Sequence, residues 1–68
     1  MSKFTKLSTV GIHVNPSQTK RVEIVKFQKE GTKMVFFTPE VNGMRLVRTM
    51  FARKSGAVDI AKQYLSRN

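Results

Sequence analysis

The chain contains no cysteine, so neither a disulfide nor a thiolate metal site supports its fold. It has no tryptophan, two prolines and a single histidine, His13. One histidine and a few separated acids do not supply the ligand set that a metal centre needs; His13 reads as a surface strand residue. Acidic residues are the scarcest charged class: Glu23, Glu30, Glu40 and Asp59 stand against thirteen Lys and Arg in 68 residues. These four acids fall on separate predicted elements and suit surface ion pairs better than a general acid/base pair. No Gly-rich phosphate loop and no nucleophile elbow occurs. The expectation is a protein that is not an enzyme and carries no cofactor or metal. Long hydrophobic runs are also missing. Nothing approaches the about 20 apolar residues of a membrane span, and the polar, basic residues 1–9 lack the apolar stretch of an export signal. Both absences predict a cytoplasmic protein that meets no membrane.

What the chain has in excess is positive charge, a formal net of +9. Folding a compact domain against that self-repulsion costs stability, so the excess implies an anionic partner. Nucleic acid ranks first, because a polyphosphate attracts the protein and releases counterions on binding. An acidic protein surface is the competing partner. The cations are spread from Lys3 to Arg67 without a run of five, which predicts a folded surface that gathers charge in three dimensions and not a basic tail. Hydrophobic residues make up 40% of the chain, enough for a folded core. The length allows a single small domain, 1–68, whose core supplies roughly 3–5 kcal/mol.

The predicted fold class is α+β: an antiparallel sheet of three to four strands with one C-terminal helix packed on one face. Val10, Ile12 and Val14 alternate with Thr9, Gly11 and His13, the period of a half-buried strand over 9–14. Residues 1–8 read as flexible or loosely packed. A second strand covers 21–29. Its alternation slips between Ile24 and Val25, so either both faces are covered or a bulge intervenes. The apolar run Met34, Val35, Phe36 and Phe37 predicts a central strand over 33–38, ended by Pro39. Asn42 and Gly43 form a strong hairpin signal before a fourth strand over 44–51. The helix, over 56–66, has Ser55 as its expected N-cap, Asp59 toward its positive end and Lys62 and Arg67 toward its negative end. Ala57, Ile60, Ala61, Tyr64 and Leu65 make one apolar stripe, expected to pack on Val10, Ile12, Phe36 and Leu46.

Strand residues two apart share a face, so Arg45, Val47, Thr49 and Phe51 are expected to project together from the side the helix leaves open. With Arg48, Arg53 and Lys54, and Lys33 across the hairpin, they make the candidate nucleic-acid site, joined by Lys20, Arg21 and Lys26. Arginine on an open sheet face reads guanine or clamps phosphate, and Thr contacts a thymine methyl. The plainer alternative is that these charges only solvate the sheet. Lys3 and Lys6 at a flexible start suit a phosphate backbone or minor groove. Phe36 and Phe37 point to opposite faces. The one away from the helix is assigned to an interface or to cover by the N-terminal segment around Phe4, ahead of base stacking. Four methionines and the two-sided third strand suggest a homodimer surface.

After the Asn42-Gly43 hairpin, Phe51, Lys54, Ala57 and Ile60 stand in an order that resembles the arm-binding domains of tyrosine-recombinase integrases and the plant ethylene-response DNA-binding domain. The resemblance covers 33–65. It implies a sheet that enters the DNA major groove, with Arg45, Arg48 and Thr49 near the contact. The chain departs from that group by lacking an aromatic near the start of the second strand and by its extra N-terminal strand. In topology alone, four strands and a helix are similar to the single-stranded-DNA-binding coactivator fold, which is a dimer. The function expected is non-catalytic nucleic-acid binding, DNA ahead of RNA. The alternative is a small basic modulator of viral or mobile-element inhibitor type, docked on an acidic protein.

Overall fold

A computed structural model describes residues 3–67. Four antiparallel strands lie side by side in chain order: β1 (Phe4–Val14), β2 (Arg21–Lys29), β3 (Val35–Val41) and β4 (Met44–Arg45). Helix α1 (Lys54–Ser66) follows and packs on one face, which is the α+β arrangement the pattern predicts.

The first strand is longer than its alternation suggests. Residues 4–8 are paired and not loose, because Phe4, Thr5 and Lys6 sit opposite Lys29, Gln28 and Phe27. Their polar–apolar order is hidden by two bulges. The register shifts between Lys6 and Ser8 and between Thr9 and Gly11, so Leu7 and Val10 are extra residues with no partner of their own. Each bulge adds local twist to the hairpin. The slip read at Ile24 and Val25 has the other cause: β2 pairs with β3 without a shift, and both side chains are fully buried, one on each face.

Directly paired residues share a face. The helix-bearing face carries Val22 and Ile24 of β2 with Phe37 and Val41 of β3. Ala57 and Ala61 lie buried against them, and Val10, Phe51, Val58, Tyr64 and Leu65 close the cluster. Two alanines let the helix axis come close to the sheet. The seat therefore differs from the expected one: Ile12 and Phe36 belong to the opposite face, where their register partners are Glu23 and Phe27. Thirteen helical residues rise about 20 Å, against a long molecular dimension of 41 Å, so α1 covers only one end of the sheet.

Pro39 does not end β3. It pairs opposite Ile24 and turns its missing N–H toward β4, where its carbonyl accepts from the Leu46 N–H (2.9 Å). That missing donor explains why β4 is two residues and not eight. An outer strand can make only half of the usual pair there, and the chain leaves the ladder after Arg45. It rejoins at Phe51, which exchanges two backbone bonds with Phe37 (2.7 and 2.8 Å). Phe51 then sets the helix start. Gly56 rests on its ring, and α1 begins at Lys54 with Arg53 as N-cap and no side-chain cap. Ser55 is thus inside the first turn. Asp59 lies beyond that turn and Lys62 before the last, whereas Arg67 does stand at the helix end, as its C-cap.

A Cβ added at Gly56 would sit 2.7 Å from Phe51 Cδ1 and 3.1 Å from its Cβ. Gly56→Ala is expected to destabilise the fold by about 1–2 kcal/mol in urea unfolding, because overpacking outweighs the ~1 kcal/mol gain in helix propensity.

Candidate functional site

The face without the helix is not an open basic plate. By register it carries Phe4, Lys6, Thr9, Ile12 and Val14 of β1, Glu23, Val25 and Phe27 of β2, and Phe36, Thr38 and Glu40 of β3. Its middle is covered by the coiled start of β1. Val25 and Thr38 are fully buried there, and the Thr38 hydroxyl has no hydrogen-bond partner. The Phe4 ring meets Phe36 edge to face, with centroids 5.5 Å apart. This is the N-terminal cover expected for the aromatic that the helix leaves bare.

Two of the acids meet on this face. Glu23 and Glu40 are opposite one another across β2 and β3, although their distance in sequence suggests separation. Like charges directly opposed are unfavourable, and cations surround them. Lys6 Nζ donates to Glu40 Oε1 (3.5 Å), Arg21 stands 3.6 Å from Glu23 Oε1, and Arg45 is the register partner of Glu40. The Glu40 side chain is only 5% exposed, and a buried carboxylate is costly unless it is paired. Lys6 is accordingly a paired strand residue and not part of a free basic arm.

The predicted cations are distributed as follows. Lys20 sits at the far end of α1, where its Nζ donates to the Arg67 carbonyl (2.9 Å) and lies 5.3 Å from the centre of the Tyr64 ring. Arg21 shares the helix-free face with Glu23. Lys26 falls on the helix-bearing face by register, between Ser8 and Phe37, near the end that α1 does not span. Lys33 is in the turn before β3. Arg45, Arg48, Thr49, Arg53 and Lys54 all follow the outer edge of β3, and all are exposed. The nine residues thus do not share one face. A face-wide reading fails because the alternation assumed for 44–51 does not exist past Arg45.

What the fold does bring together is the edge segment, residues 44–54. It carries four cations and no acid. Lys54 is partly engaged, its Nζ donating to the Val10 carbonyl (3.0 Å), while Arg45, Arg48 and Arg53 make no ion pair among the described residues. Beside this segment lies a half-open apolar groove of about 160 Å³, lined by Leu46, Val47, Ile60, Gln63, Tyr64 and Arg67. The sequence gives no sign of it, because it forms only where residues 46–50 bend away from the sheet. Among the described residues no group of acids and histidine is placed to hold a metal ion, and no helix is long and apolar enough to cross a membrane.

Comparison with protein families, with curated proteins and with solved structures gives no match. Residues 33–65, the stretch that carried the expected resemblance, contain β3, β4 and α1.

Lys20 joins the 15–20 turn to the helix end. Lys20→Met is expected to lower stability by about 0.5–1 kcal/mol, through the lost cation–π and carbonyl contacts, in thermal or urea unfolding. Its affinity for heparin should change far less than that of edge-segment variants.

Proposed function

We propose that this protein is a non-catalytic nucleic-acid-binding protein, DNA ahead of RNA, that holds the phosphate backbone along its edge segment. The observation that carries this reading is the run of exposed Arg45, Arg48 and Arg53 along one edge, with no acid within residues 44–54; Lys54 ends the run but directs its ammonium to the Val10 carbonyl of β1. Phosphate contacts give affinity and register, while base contacts give sequence preference. Thr49 and the edge arginines are the groups able to reach bases. The rest of the charge acts at longer range: a net +9 raises the local concentration of any polyanion and speeds its capture.

Binding of generic duplex and single-stranded DNA, titrated against salt, tests the reading. A log–log slope steeper than about −2 is expected, and a shallower one means too few phosphates are neutralised. Arg45→Ala with Arg48→Ala should weaken binding about tenfold at low salt and reduce the slope by about 2, with little effect on fold. Glu23→Gln should do the reverse. It frees Arg21 from its only ion pair among the described residues, so the variant should elute from heparin at higher salt than the parent.

The apolar groove beside Arg67 supports a second reading, docking of an acidic protein segment with one apolar side chain seated between Leu46 and Ile60. The two separate cleanly. In the second case, Ile60→Glu abolishes capture of the partner, and DNA is left unshifted even at low salt.

A further inference from the structure

Four of the six large apolar side chains that stand exposed among the described residues belong to β1: Phe4, Leu7, Ile12 and Val14. Leu7, Ile12 and Val14 are each 46–50% exposed. This strand is also a sheet edge. The outer side of β3 is occupied by β4, Leu46 and Phe51, whereas the outer side of β1 has no strand beside it among the described residues. Its backbone direction can be read from the turn. The Asn15 N–H donates to the Lys20 carbonyl (3.2 Å), so His13 faces Val22 with its backbone groups. By alternation, Ile12 and Val14 direct their N–H and C=O groups outward. Pro39 confirms the phase on the other side of the sheet, since its absent N–H falls at a position that faces away from β2.

The charge pattern says what can meet this edge. Within Phe4–Val14 the only permanent charge is Lys6, which is held by Glu40; Lys54 reaches this strand from the helix and is engaged by the Val10 carbonyl, while the opposite edge carries Arg45, Arg48 and Arg53. An acidic partner finds no unengaged cation along Gly11–Val14 of β1. A second copy meets here the edge where two +9 chains come together with the fewest free cations. The small core points the same way: the fully buried apolar side chains are Val22, Ile24, Val25, Ala57 and Ala61, and a domain of this size gains stability from burial between copies.

We infer that two copies of this chain pair antiparallel through β1, with Ile12 opposite Val14 of the second copy about a two-fold axis at His13. The unbulged stretch 11–14 sets the extent. The bulge at Val10 ends the regular edge on one side, and Pro16, without an N–H, ends it on the other. Ile12 and Val14 then lie side by side on the helix-free face, and the paired sheets form one eight-stranded layer with the two basic edges at its ends. The inference does not rest on the nucleic-acid reading.

Sedimentation equilibrium without nucleic acid, over a range of protein concentration, tests it. A reversible monomer–dimer equilibrium is expected, and the dimer should tighten as salt rises from about 50 to about 500 mM, because screening relieves the repulsion between like-charged copies. Polyanion binding has the opposite salt dependence, so the two properties fail independently. Ile12→Lys places lysines against the second copy and should weaken dimerisation at least tenfold with an unchanged circular dichroism spectrum. Met44→Lys, at a still more exposed position on β4, should leave it intact. Hydrogen exchange on the unmodified chain gives a readout free of folding effects: the Ile12 and Val14 amides should become protected as concentration rises. A monomer at millimolar concentration in high salt, equal loss in both lysine variants, or concentration-independent exchange at Ile12 and Val14 overturns the inference.

Discussion

The coiling of the β1–β2 hairpin is the constraint on which most of this molecule rests. Lys6 is opposite Phe27, whereas Glu40 is opposite Glu23, an offset of four residues and about 13 Å along a flat sheet. Their contact at 3.5 Å requires the strands to cross steeply. The extra residues Leu7 and Val10 supply the twist. Without it, Phe4 would not reach Phe36 across β2, and Val25 and Thr38 would face water on the side that no helix covers. The helix buries one face at one end. The hairpin, curling over itself, buries the middle of the other.

That division of labour decides where charge is free. Burial of Glu40 under the curl draws in Lys6, and its neighbour Glu23 draws in Arg21, so the helix-free face consumes much of its own positive potential. Lys20 and Lys54 are engaged in fastening the two ends of the helix to β1 and to the turn after it. The cations left over lie along the β3 edge, where the chain runs irregularly from Arg45 to the helix. The molecule is asymmetric as a result: one sheet edge is basic and polar, and the other is apolar and nearly uncharged.

Much of the fold is legible in the residues. The alternation of Val10, Ile12 and Val14, the Asn42-Gly43 turn and the Ala57–Ile60–Ala61–Tyr64–Leu65 stripe lead to an antiparallel sheet with a terminal helix, while the residues leave cover by Phe4 as one of several fates for the phenylalanine that the helix does not reach. The candidate site is less legible. Assigning Arg45, Val47, Thr49 and Phe51 to one face assumes an unbroken strand. The break comes from Pro39, which is remote in sequence and acts only as a neighbour in the sheet. Pairing of Glu23 with Glu40 is hidden for the same reason, since register between strands is a property of the whole hairpin and not of either segment.

Composition, charge and local periodicity are carried by each residue and its near neighbours, so the sequence alone determined the fold class and the excess of cations. Which cations stay free, which face the first strand covers and where the last strand leaves the ladder were decided by tertiary structure. Those outcomes depend on bulges, on register and on one missing N–H, each of which acts between segments that touch only after folding.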